Sequence, residues 1–208
     1  MNQLRRVAIL IFDDVEILDF CGPYEVFGVT GRDDGSKPFE VYTVAEEQKP
    51  IIARNQLSIN PQYNISNCPQ PEILLVPGGY GTRREMNNPV LIDWIKAYSQ
   101  KAELVLSVCT GALLLAKAGL IDGLAATTHY EALDLLREVA PKTEVRDNDR
   151  IVDNGRIILS AGISAGIDMS LHVVAKLLGK EEAVATAKYM EYDWREDFKA
   201  SNLPIIVA

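Results

Sequence analysis

Leu104-Val105-Leu106-Ser107-Val108-Cys109-Thr110-Gly111-Ala112-Leu113-Leu114-Leu115-Ala116 begins as a β-branched and Leu-rich run and ends as a series of Ala and Leu. The first part has the continuous apolar character of a parallel strand covered on both faces, and the last part reads as a helix. One sulfur stands at the bend between them. A nucleophile on such an elbow stands clear of the sheet and faces the start of the next helix. The unpaired N–H groups there favour a thiolate over a thiol. Cys109 is therefore the candidate nucleophile. The competing reading is an inert packed thiol, since free Cys is among the most buried residue types. Gly111, which allows a tight turn, and a second glycine loop upstream favour the catalytic reading.

That second loop is Gly78-Gly79-Tyr80-Gly81, at the end of the apolar run Glu72 to Pro77. Glycines at a strand's carboxyl end free backbone N–H groups to point into the crevice where open α/β sheets bind ligands. The spacing is not that of a dinucleotide-binding loop, so oxyanion-type donors are expected at Gly78 and Gly79. Further upstream, Arg5 to Phe12 is another continuous apolar run and reads as the first strand. Asp19 follows it, just ahead of an expected helix with Pro23 in its first turn and Tyr24, Val26 and Phe27 on its apolar face. Local sequence leaves Asp19 readable as a helix cap or as an acid. Phe39 to Ala45 is a strand. The segments Ile51–Ala53, Leu57–Ile59 and Tyr63–Ile65 suggest a small hairpin and loop outside the main repeat.

Downstream of Gln100, where the amphipathic helix Pro89 to Gln100 closes (Val90, Leu91, Trp94, Ile95 and Tyr98 inward), the elbow unit runs to Gly123. Ala126 to His129 reads as a short polar strand, Glu131 to Val139 as a helix, and Asn154-Gly155 as a hairpin turn. Ser160 to Asp168 leads into a long helix ending near Leu178, and a last helix runs from Lys180 to about Tyr192. The tail from Arg195 to Ala208 lacks helical periodicity. Alternating strands and helices without a linker imply one doubly wound α/β domain spanning residues 1–208, with a mainly parallel sheet between helix layers.

The chain has 208 residues, 48% apolar and 24% charged, with a formal net charge of −8 and no basic cluster. Nucleic acid and acidic membranes are thus unexpected partners. No stretch has the length of a transmembrane helix, and the N-terminus lacks a signal peptide. Three cysteines (Cys21, Cys68 and Cys109) in such a chain suggest reduced thiols and a cytoplasmic location. Cys21 reads as a packed thiol. Cys68 has no neighbours at metal-ligand spacing, and no metal or other cofactor is expected. His129 is expected to make local hydrogen bonds, and His172 to pair on the surface with Asp168, four residues earlier on one helix.

Val76-Pro77-Gly78-Gly79, Val108-Cys109-Thr110-Gly111-Ala112 and Ala161-Gly162-Ile163-Ser164-Ala165-Gly166-Ile167-Asp168 together resemble the DJ-1/PfpI superfamily. More narrowly, Leu18-Asp19-Phe20-Cys21-Gly22-Pro23-Tyr24-Glu25-Val26 and Ala126-Thr127-Thr128-His129-Tyr130 resemble its isonitrile hydratase branch. The resemblance runs from about Val7 to about Leu178. It implies a flavodoxin-like three-layer sandwich, usually homodimeric, acting on a small molecule without a cofactor. It further implies Cys109 as nucleophile, Asp19 as general acid/base and Thr110 as a catalytic hydroxyl. Gly79, Gly78 and Ile163 are the implied oxyanion and substrate-binding positions. The protease branch has His directly after the cysteine, whereas this chain has Thr110. Regulators of the superfamily add a helix-turn-helix module for which the chain, ending at Ala208, is expected to leave no room. The expected activity is hydration of an isonitrile to an N-substituted formamide. The alternatives are a redox or ligand sensor using Cys109, or a glyoxalase- or deglycase-like enzyme.

Overall fold

The computed structural model describes residues 4–31 and 35–194; the expectation for the tail from Arg195 lies outside them. The chain starts with β1 (Arg5–Leu10), α1 (Ile17–Val29) and β2 (Phe39–Ala45), then makes a minor hairpin, β3 (Ile51–Ile52) and β4 (Ser58–Ile59). The short β5 (Tyr63–Asn64) precedes β6 (Ile73–Val76), α2 (Thr82–Glu85) and α3 (Pro89–Ser99). The elbow unit is β7 (Leu104–Val108) and α4 (Gly111–Lys117). After it come β8 (Ala125–Ala126), α5 (Leu133–Val139), β9 (Glu144–Val145), β10 (Ile151–Asp153) and β11 (Ile157–Ser160). Two helices, α6 (Ala165–Leu178) and α7 (Lys180–Tyr189), close the described chain.

Seven strands form one sheet in the order β10-β11-β7-β6-β1-β2-β5. All its neighbours pair in parallel except β10 and β11. The apolar runs explain the centre. Val7 to Ile11, Ile73 to Val76 and Val105 with Leu106 have no solvent exposure, because helices cover both sheet faces. Each such Leu, Ile or Val contributes about 1.5–3 kcal/mol by leaving water. The result is the expected flavodoxin-like α/β sandwich with a mainly parallel sheet. The order reverses beside β1: the chain moves outward to β2, then returns to the other side as β6. The carboxyl ends of β1 and β6 flank the switch point where such sheets place their ligands.

Several local expectations change. Tyr63–Asn64 joins the main sheet as an edge strand, pairing with Val44 and Ala45, rather than belonging to the separate hairpin. The polar strand expected through His129 shrinks to Ala125–Ala126, which pairs only with Glu144–Val145. Thr127 and Thr128 turn their polar groups to other work. Val90 is exposed, since it sits at the N-terminal edge of α3 while Leu91, Trp94 and Ile95 form the buried face. His172 bonds Asp153 at 2.8 Å, because the adjacent β-hairpin reaches it; Asp168 is taken by Arg150 and Tyr192. Helix α1 begins at Ile17, so Asp19 lies within it and Pro23 stands well inside it. Pro23 lacks the N–H that would bond the carbonyl of Asp19, but its position after Gly22 in a buried stretch is tolerated.

Candidate active site

Four chain segments meet at the carboxyl end of the sheet, each from a different strand. Cys109 follows β7 with φ +56°, a left-handed conformation that a non-glycine residue adopts only when its surroundings enforce it. The enforcement is visible. The N–H of Cys109 donates to the carbonyls of Ser160 (3.2 Å), the last residue of β11, and Ala161 (3.1 Å), which follows it. Its own carbonyl accepts from the hydroxyl of Thr128 at 2.8 Å. Thr128 is a buried residue whose part in holding the elbow the sequence did not reveal.

Asp19 is fully buried and does not cap its helix. Its Oδ2 accepts from the N–H of Gly78 at 3.0 Å, which ties α1 to the loop after β6. A side chain at position 78 would put Cβ 2.8 Å from that oxygen and 2.7 Å from Thr110 Oγ1, so only glycine fits between them. Gly79 has φ +123° and donates its N–H to Thr110 Oγ1 at 3.0 Å. Thr110 Oγ1 in turn lies 3.1 Å from the Gly79 carbonyl and 3.1 Å from Thr82 Oγ1. The Gly78 and Gly79 N–H groups and the Thr110 hydroxyl, expected to meet a substrate, are therefore engaged in knitting the two loops together.

The main-chain N–H groups of Thr110 and Ile163 lie near enough to the sulfur to favour its ionised form. Asp19 Oδ1 has no hydrogen-bond partner among the described residues, while Ile163, whose N–H also acts to lower the Asp19 pKa, sits at φ +55°. For a β-branched side chain that backbone is a true outlier, costing on the order of 1–3 kcal/mol. That backbone turns the loop after β11 toward Cys109 and Asp19. Arg150 holds the loop from behind, bonding Asp168 Oδ2 at 2.6 Å and Ser164 Oγ at 3.2 Å. Its backbone carbonyl accepts from Ala161 at 2.9 Å.

Burial dominates the electrostatics. It pushes the Asp19 carboxyl up to about 7, with the Glu16 charge adding to it against the Gly78, Cys109 and Ile163 hydrogen bonds. Burial and then the Asp19 charge push the Cys109 thiol up to about 12, outweighing the Thr110 and Ile163 N–H groups. The expectation of a resting thiolate is thereby reversed: α4 has a single short run of N–H groups, and desolvation beside a carboxyl exceeds their pull. The Asp19 charge thus disfavours ionisation of the thiol beside it. Over them opens a cleft of about 240 Å³ lined by Glu16, Arg54, Gly79, Tyr80, Arg83, Cys109, Thr110, His129, Glu131 and Ile163. His129 makes the expected local bond, its Nδ1 accepting from the Glu131 N–H at 3.3 Å. Cys21 and Cys68 are not among the lining residues. Arg54 and Arg83 line the cleft without having stood out in the sequence, because neither lies near a recognisable motif.

The DJ-1/PfpI family profile matches residues 5–176. The chain is 33% identical over 188 residues to the isonitrile hydratase of Pseudomonas putida, a match covering 90% of this chain and 78% of that protein. It is 25% identical over 189 residues to the HTH-type transcriptional regulator GbdR of Pseudomonas aeruginosa, 91% of this chain but 51% of the regulator. Among solved structures, a THiJ/PfpI family protein from Pseudomonas syringae superposes with a TM-score of 0.81 at 29% identity, covering 95% of this chain and 81% of that one.

Proposed function

Because the chain belongs to the DJ-1/PfpI family, we propose that it is an isonitrile hydratase whose reacting groups are Cys109 and Asp19. The observation that carries this reading is that Cys109 and Asp19 are both buried at the carboxyl end of the sheet, close enough for each to act on the other's ionisation. Hydration of an isonitrile needs a nucleophile and a proton delivered to the same carbon. The terminal isonitrile carbon accepts the sulfur's electron pair as Asp19 takes the thiol proton and passes it to that carbon, giving an S-bound thioimidate. Water then adds to this carbon with Asp19 as base. A proton reaches nitrogen, the carbon–sulfur bond breaks, the thiol recovers its proton, and the N-substituted formamide leaves. The raised carboxyl suits both roles, since it can hold or release a proton near neutrality. Thr110 and Ile163 N–H groups stabilise sulfur as its charge develops.

The test is formamide production from a panel of small isonitriles. Turnover should be present in the native protein, absent in Cys109→Ala and nearly absent in Asp19→Ala. Full activity in either variant would overturn the assignment. A second reading follows from the likeness to GbdR: the same cleft could serve as the ligand site of a sensor, with Cys109 lining it. That reading gains if reduced, folded protein turns over no isonitrile.

A further inference from the structure

The cleft is lined by two carboxylates, Glu16 and Glu131, and two guanidiniums, Arg54 and Arg83, and they are not paired evenly. Glu16 Oε2 lies 3.9 Å from Arg54 Nε, and the Arg54 guanidinium also stacks 4.1 Å from the Tyr80 ring centre. Glu131 Oε2 lies 3.9 Å from His129 Nδ1, and that carboxylate is well exposed at the rim. Arg83 is different. Its Nη1 meets only neutral oxygens, the Gly79 carbonyl at 3.4 Å and Thr82 Oγ1 at 3.2 Å. It makes no ion pair among the described residues, whereas the adjacent Arg84 faces both Asp14 and Glu85. Thr82 Oγ1 is 3.1 Å from the hydroxyl of Thr110, the residue after Cys109, and Arg83 and Cys109 line the same cleft.

A half-buried, uncompensated guanidinium in a concave site attracts an anion, and its planar fork matches a carboxylate. Ile163 is the one aliphatic side chain among the lining residues. We propose that this cleft selects ligands bearing a carboxylate close to the reacting carbon, with Arg83 as the residue that receives it. The substrate class is then a short isocyano carboxylate, a refinement that rests on the hydratase reading for its isonitrile half.

Two measurements separate the halves. The first ignores turnover: Cys109 is alkylated with iodoacetate and with iodoacetamide, and modification at that residue is followed by mass spectrometry. Taking the ratio of the two rates within one protein cancels changes in thiol reactivity. Arg83→Gln should lower the iodoacetate-to-iodoacetamide ratio about tenfold, as expected for losing one charged hydrogen-bond partner. Arg83→Lys, which keeps the charge, should restore most of it. An unchanged ratio in Arg83→Gln overturns the proposal. The second compares kcat/KM for isocyanoacetate and its methyl ester. A preference for the carboxylate that disappears in Arg83→Gln supports the substrate class, and equal or better use of the ester by the native protein overturns it. If neither compound is turned over while other isonitriles of the panel are, the substrate class is overturned; if no isonitrile is turned over, the hydratase reading fails and the alkylation ratio alone decides the anion site.

Discussion

At the scale of single residues, Asp19 sets the site's response to pH. Its carboxyl is held near 7 in the folded protein against 3.8 ordinarily, chiefly by burial. Below about pH 4 the group is neutral in both states and costs nothing. As pH rises, the unfolded chain releases this proton before the folded one does. Folded stability is therefore lost between about pH 4 and about pH 8, by on the order of 4 kcal/mol. Asp19→Asn keeps an acceptor for the Gly78 N–H but cannot ionise. Urea denaturation of both proteins across this range should show the native protein losing stability relative to the variant. Parallel curves would mean that Asp19 is not protonated in the folded state. The variant is thus expected to be more stable at high pH and inactive, a trade between stability and function at a site built from a buried acid.

At the scale of elements, the loop between β11 and α6 is held in a strained conformation from outside the cleft. Arg150 joins that loop to Asp168, which is 6% exposed and also accepts from Tyr192 at 3.0 Å. Arg150→Met leaves Asp168 buried without its cation and should cost about 2–3 kcal/mol in chemical denaturation. Adding Asp168→Leu removes the stranded charge and should return most of that stability. A single variant as stable as the native protein would show that the pair does not anchor the loop. The same loop shows what sequence could convey. The run Ser160 to Asp168 was readable from its residues only as a lead into a helix, and Ile163 could be singled out within it only by resemblance. Its left-handed backbone and the Arg150 brace could not be read, because they join residues from separate elements. Likewise β1, β6 and β7 were legible as uninterrupted apolar runs, whereas β5 is two residues long and exists only through pairing with β2. The elbow and Asp19 were visible as chemistry, but the direction in which Cys109 titrates depends on how completely both groups are buried. Arg83 has no motif around it and gains meaning only from the missing partner beside it.

At the scale of the whole molecule, the site rests on the part of the sheet with the least access to water. Asp19, Gly78, Cys109 and Ile163 follow β1, β6, β7 and β11, which are adjacent in the order β11-β7-β6-β1. The residues of β6 and β7 are buried throughout, and each is bonded on both sides by parallel neighbours. Opening any one of them would break two ladders and expose both helix layers, so their amides should exchange only when the chain unfolds as a whole. The hairpin of β3 and β4 and the pair of β8 and β9 each have two residues per strand and can open alone. Native-state hydrogen exchange should therefore divide the molecule. Amides of β1, β6 and β7 should share one high opening free energy that tracks denaturant, which is also the signature of the proposed single domain. Those of the two small pairs should open at much lower free energy with little denaturant dependence. Cys109 takes its rigidity from this arrangement: its N–H is bonded to the carbonyls of Ser160 and Ala161 at the end of β11. The amide of Cys109 should thus exchange with the central group. Exchange at the rate of the small pairs would mean that the elbow moves independently of the sheet, and the fixed arrangement of Cys109 and Asp19 that the proposed hydration mechanism requires would be lost with it.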